Sequence, residues 1–147
     1  MQKVGVLQES ELFAMLSGDE LEMLSTLTLA KDFEAGEDVF KEGDEGDGLY
    51  IIVSGSVDVL RAEGGEQKVL ATLDAPQFFG EMAVIDKELR SATVRANEDS
   101  RLLFISVANL LAFRRVFRDG FMFVVINIAR VLSGRLRDTN GKLATRL

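Results

Sequence analysis

The sequence has no cysteine, no histidine and no tryptophan, and only one proline and one tyrosine in 147 residues. The first two absences exclude whole classes of chemistry. Thiolate or imidazole zinc sites, histidine acid–base relays, cysteine nucleophiles and disulfide frameworks all lack their essential atoms. Any function therefore runs on carboxylates, guanidinium groups, hydroxyls and backbone amides, and with no catalytic constellation, metal site or cofactor motif visible, no enzymatic activity is expected. Basic residues are also in deficit, 17 against 24 acids for a net charge of -7. That balance argues against nucleic-acid binding by this chain, which would normally show a basic footprint. Long apolar runs are missing too. The longest, Phe121 to Leu132, is too short to span a bilayer and contains Asn127 and Arg130. The N-terminus lacks the apolar core of a signal segment, so a cytoplasmic protein without membrane contact is expected.

What is present is a composition of 47% hydrophobic and 28% charged residues, that of one globular domain spanning residues 1–147. Charge is unevenly spread: thirteen acids face only Lys31 and Lys41 between Glu9 and Gly48, whereas five basic residues face Asp138 alone from Arg130 onward. Leu12, Phe13, Leu16, Leu21, Leu24 and Leu27 recur at helical spacing, interrupted at Ser17-Gly18-Asp19, where Ser17 or Asp19 can cap a second short helix. A helical segment over 8–28 follows. Residues 29–107 alternate in short apolar runs punctuated by glycines, the pattern of a compact antiparallel barrel or roll, with Glu63-Gly64-Gly65-Glu66 as a hairpin turn. Helical period returns over 108–138, with a break expected near Asp119-Gly120 and a tail at 139–147. The fold class is mainly β with flanking α-helices.

Chemistry concentrates between Phe78 and Thr93. Gly80 permits close backbone approach, and Glu81 to Ile85 is long enough for one helical turn whose free amides attract a phosphate. Arg90, nine residues after Glu81, can bind that phosphate in fork geometry while Glu81 accepts from a hydroxyl. A phosphate beside a sugar hydroxyl satisfies both. Two other readings remain: an internal Glu81–Arg90 ion pair in a roll that binds nothing, and Phe78 and Phe79 as core residues.

With its Phe-Gly-Glu-Met-Ala and Arg-Ser-Ala-Thr cassette, together with Phe33 to Phe40, Glu42-Gly43-Asp44 and Leu49 to Val57, the chain resembles the cyclic nucleotide-binding domain family. That family includes the catabolite activator protein, regulatory subunits of cAMP-dependent protein kinase and cyclic-nucleotide-gated channels. The resemblance covers roughly Leu12 to Asp138 and implies a jelly-roll-like β-roll with N-terminal helices and a long C-terminal helix. It implies a sensor that binds cAMP, or less favourably cGMP, and transmits binding through its C-terminal helices. Gly80, Glu81, Met82, Ala83, Arg90, Ser91 and Ala92 would take the phosphate and ribose, with Glu81 on the 2'-hydroxyl and amides around Ala83 and Ser91 completing the cradle. Val59, Leu70 and Ala71 would line the base pocket. Arg135 would close over the base, with Val131 and Thr139 one turn to either side. Leu89 departs from the family, many of whose members have proline there.

Two alternatives stay open: a ligand-binding piece of a larger transcription regulator, kinase or channel, and a nucleotide-free dimerisation module. A homodimer through the C-terminal helix is expected, with Phe121, Val125, Ile128, Leu132 and Leu136 as its seam and Met122, Ile126 and Ala129 turned toward the roll.

Overall fold

The structure is a computed structural model that describes the backbone of residues 1–146 and the side chains of residues 1–138. Helix α1, Lys3–Glu9, begins before the helical segment expected from residue 8, and fully buried Leu7 anchors it. A 3-10 turn, Glu11–Phe13, is capped by Ser10, and α2, Gly18–Leu27, follows. Of the two capping candidates Ser17 takes the role. Its Oγ accepts from the Glu20 amide at 3.2 Å, and its own amide donates to Glu20 Oε1 at 2.8 Å, closing a capping box.

Eight strands form the roll: β1 Leu29–Phe33, β2 Asp38–Phe40, β3 Gly48–Ser54, β4 Ser56–Glu63, β5 Glu66–Asp74, β6 Phe78–Phe79, β7 Thr93–Ala96 and β8 Ser100–Ser106. They make two antiparallel sheets, in the orders β1-β8-β3-β6 and β2-β7-β4-β5. Strand β3 shows why the roll needs helices. Its side chains alternate between faces, and both faces are covered: Leu49 and Ile51 pack in one core with Leu12, Phe113, Val124 and Ile128 of the helices, while Tyr50 and Ile52 pack between the sheets with Val57, Phe79 and Val94. The helices are thus part of the roll's core.

The single tyrosine reports on that second core. The Tyr50 ring stacks on Phe79 at 5.2 Å and sits 4.8 Å from Phe104. Burial, helped by the negative charge of Asp47 and opposed by Arg90, pushes its hydroxyl up to about 12. In the unfolded chain it ionises near ~10, so its contribution to stability is complete below that pH and is lost as pH rises toward 12. Phenolate absorbance, unambiguous with one tyrosine, should titrate near 12 in the native protein; a midpoint near 10 with native circular dichroism would contradict this packing.

Helix α4, Val107–Val116, is capped by Ser106, whose Oγ accepts from the Asn109 amide at 3.0 Å. The chain then breaks at Phe117 (φ -126°, ψ 79°), not at Asp119-Gly120, and α5 runs Arg118–Arg146, past the end expected near Asp138. Gly120 lies inside α5, where a β-carbon would displace the Glu20 carboxylate and press on the Phe113 ring. Asn127 ties α5 to the N-terminal segment, donating to Leu12 O at 3.0 Å and Ala14 O at 2.9 Å.

The expected faces of α5 need correction. Val124 and Ile128 are fully buried in the chain's own core, with Phe121 and Leu132 packed against it, whereas Met122, Ile126 and Ala129, expected to face the roll, are exposed. The helix is apolar around most of its circumference, so spacing alone leaves its rotation open. Among the described residues, no helix is long and apolar enough to cross a membrane.

Candidate functional site

Strand β6 is followed by Gly80, whose φ of 80° lies in the left-handed region that glycine enters without penalty. A β-carbon at Gly80 would also come within 2.9 Å of Arg90 Nη1. The chain then makes the single turn α3, Met82–Ile85, and loops to β7. This loop is pinned from across the fold: the Arg90 amide donates to Asp44 O at 2.7 Å, and the Gly43 amide donates to Arg90 O at 2.9 Å. With its backbone held at both polar groups, Arg90 sends its side chain inward, where it is 7% exposed.

A buried guanidinium is costly unless its donors are matched. Nη1 donates to Gly80 O at 3.0 Å, Nη2 donates to Gly48 O at 2.7 Å and to Asp47 Oδ1 at 3.2 Å, and the Phe40 ring lies 4.0 Å from Cζ. The remaining nitrogen, Nε, is buried without a hydrogen-bond partner among the described residues. An unmatched donor of this kind costs about 1–3 kcal/mol. By guanidinium geometry Nε shares one edge with Nη2, so an anion with two oxygens can take both, displacing Asp47, whose side chain is 67% exposed.

Glu81, also 7% exposed, meets Arg135 of α5, Nη1 to Oε1 at 3.5 Å. Arg135 Nη2 donates to Phe78 O at 3.3 Å, and its guanidinium lies 5.5 Å from the Phe78 ring. The internal Glu81–Arg90 pair is not formed: among the described residues the two have separate ionic partners. Phe78 and Phe79 are both buried in the core, although Phe79 also lines the site.

These groups converge on a cavity of about 350 Å³, within the range of small-molecule sites. Gly80, Glu81, Met82, Ala83, Arg90, Ser91, Ala92, Val59 and Arg135 all line it. Leu70 and Ala71 do not: both are exposed, and the wall beside Val59 is made by Leu73. Leu70 is the extra residue of the β4–β5 bulge, between Ala71 opposite Val59 and Val69 opposite Leu60, and Leu73, opposite buried Val57, shares a face with Ala71 but lies farther from the exposed hairpin tip. The Ala83 amide donates to Gly80 O at 3.3 Å, and the Ser91 carbonyl accepts from Arg61 Nε at 3.2 Å. The Thr139 side chain lies outside the described residues.

A larger cavity, about 510 Å³, lies between the 3-10 turn, the residues before β6 and α5; Val131 and Arg135 line it. The Asn127 amide group in its wall is already bonded to main chain. Sequence reasoning missed Phe40, Asp47 and Leu73. Only Leu73 carried a local signal, its alternation with Ala71 along β5.

Residues 30–116 match the cyclic nucleotide-binding domain family model. The chain is 33% identical over 135 residues to a cyclic AMP receptor protein of Thermus thermophilus, covering 91% of this chain and 61% of that protein. It thus spans about three-fifths of that relative's length. A cyclic nucleotide-binding domain from Methylobacillus flagellatus superposes with a TM-score of 0.85 at 23% identity, covering 99% of this chain and 82% of that one, which supports the fold. The regulatory domain of Toxoplasma gondii PKA, solved with cAMP, superposes with a TM-score of 0.71 at 28% identity, covering 76% of this chain and 43% of that one. With the β-roll, the phosphate cassette and these likenesses in agreement, the chain belongs to the cyclic nucleotide-binding domain family.

Proposed function

We propose that this chain is a cAMP sensor, with cGMP as the weaker ligand. The observation that carries the reading is buried Arg90, whose Nε has no partner among the described residues, lining one cavity together with buried Glu81. The cyclic phosphate takes the Nε–Nη2 edge of Arg90, and the ribose hydroxyl donates to Glu81. Val59 and Leu73 form the apolar wall against the base, and Ser91, where threonine is the alternative, leans the preference toward adenine. The relatives named for cyclic AMP, or solved with cAMP, support the same ligand. The reading asks of this chain itself no catalytic step, cofactor, metal, nucleic-acid contact or membrane contact, and it is that of a cytoplasmic domain.

Transmission runs through Arg135. Its contact with Glu81 joins α5 directly to the ribose-binding carboxylate, so a nucleotide that engages Glu81 changes what holds the helix. A ligand shifts such an equilibrium only by its differential affinity for the two helix positions. The exposed apolar residues Met122, Val125, Ile126 and Leu136 recur at near-heptad spacing with Ala129 and accept a second copy of the helix, giving a homodimer. The protein's output then depends on what the dimer is joined to. A regulatory role within a transcription factor, kinase or channel fits this arrangement.

Titration calorimetry with cAMP and cGMP tests the ligand, with tighter binding of cAMP expected and absence of heat from both overturning the reading. Arg135→Ala should weaken cAMP binding roughly tenfold, about 1.4 kcal/mol, chiefly by faster dissociation. Equal dissociation rates in a stopped-flow chase with fluorescent cAMP would remove Arg135 from the mechanism. Sedimentation equilibrium at tens of micromolar should read twice the chain mass; a single-chain mass with and without nucleotide would remove the dimer.

A further inference from the structure

We propose that Phe40 is a positioning residue for the anion site, holding the plane of the Arg90 guanidinium so that its Nε–Nη2 edge meets the phosphate. This rests on the cyclic nucleotide reading of the cavity. Phe40 ends β2, far from the cassette in sequence. Its pairing with Val94 of β7 follows a register shift between Asp38 and Phe40, an irregularity of the kind that re-aims a side chain.

The ring is fixed independently of the arginine. It lies 5.9 Å from Tyr50 and 5.9 Å from Phe79, both buried between the sheets. Against this support the Arg90 guanidinium lies with Cζ 4.0 Å from the ring centroid, well within cation–π range. The carbonyls of Gly80 and Gly48 hold the two terminal nitrogens but act at the ends of the group. Phe40 acts at its centre, through the 4.0 Å approach of Cζ to the ring, and limits rotation of the group about the axis those bonds define. An aromatic ring suits this position because it attracts the cation without supplying an acceptor, so Nε is left for an anion. A carboxylate or hydroxyl in the same place would consume that donor.

Phe40→Leu keeps an apolar side chain and removes the π face, whereas Phe40→Tyr keeps the face. The expected result is cAMP binding weakened about tenfold in Phe40→Leu and within about twofold of wild type in Phe40→Tyr. In an Arg90→Lys background the same Phe40→Leu change should cost about twofold or less, because an ammonium has no plane to orient. Equal losses in both Arg90 backgrounds would mean that Phe40 contacts nucleotide or only supports the fold, and would overturn the proposal.

A measurement without nucleotide separates this claim from the choice of ligand. In 15N-resolved NMR the Arg90 Nε–H should exchange slowly with water in wild type and in Phe40→Tyr, and at least tenfold faster in Phe40→Leu at matched circular dichroism. An Nε–H unaffected by Phe40→Leu overturns the positioning role even if cAMP binds. Failure of the wild type to bind any cyclic nucleotide, with the exchange pattern as expected, overturns the ligand reading alone.

Discussion

Arg90→Ala is expected to weaken cAMP binding by about two to three orders of magnitude. Charge-assisted hydrogen bonds contribute about 1.5–3 kcal/mol each, and the Nε–Nη2 edge makes more than one of them. The structure adds a second loss. Gly80 O and Gly48 O accept from this guanidinium, so its removal also frees the turn that presents Glu81. Lysine supplies charge but neither the fork nor both carbonyl contacts, and Arg90→Lys should recover only part of the affinity. Calorimetry is the check, with circular dichroism confirming the fold; wild-type affinity in Arg90→Ala would take this residue out of the site.

The cassette was legible in the sequence because its parts are contiguous. Gly80, Glu81, Arg90 and Ser91 lie within twelve positions, and each residue type has a distinct role there. The roll was legible from glycine-punctuated alternation, and the β4–β5 turn fell at Gly64-Gly65 as expected. The misses have physical causes. Leu70 is the extra residue of the bulge at Val59/Leu60, and Ala71, on the same face as Leu73, lies nearer the exposed hairpin tip, so the wall falls to Leu73. An α5 apolar on most sides left its buried face undetermined, so Ile128 was assigned to a dimer seam that its own core occupies. Gly120 read as a helix stop because close packing and a left-handed turn both select glycine, and only the Glu20 contact separates them. Phe40 and Asp47 reach Arg90 from distant parts of the chain, a juxtaposition that no local pattern records.

Asn127→Leu is expected to destabilise the protein by about 1–3 kcal/mol. Asn127 is 3% exposed and donates to two carbonyls, Leu12 O and Ala14 O. Leucine is close in size and removes both bonds, leaving Leu12 O unmatched where it is buried, at about 1–3 kcal/mol, while the part-buried Ala14 O can turn to water. Asn127→Asp should do at least as much harm, since a carboxylate would face those same carbonyls without a donor. Urea unfolding followed by circular dichroism would show the midpoint falling in both variants. If Asn127→Leu unfolded at the wild-type midpoint, apolar burial would have replaced the bonds and the clamp would carry no net stability. The asparagine in the apolar run Phe121 to Leu132 thus serves the architecture, joining the helix that touches Glu81 to the first turns of the chain.

The β4–β5 hairpin offers a practical handle. At its tip, Gly64 and Gly65 have nothing within 4 Å of where a β-carbon would stand, yet the strands it joins carry Val59 and Leu73 on the cavity wall. A graft at such a tip adds length where no packing is disturbed. A fluorescent reporter inserted between these glycines would therefore ride on two strands that line the cavity, and should convert its occupancy into an optical signal while leaving α5 and its surfaces untouched.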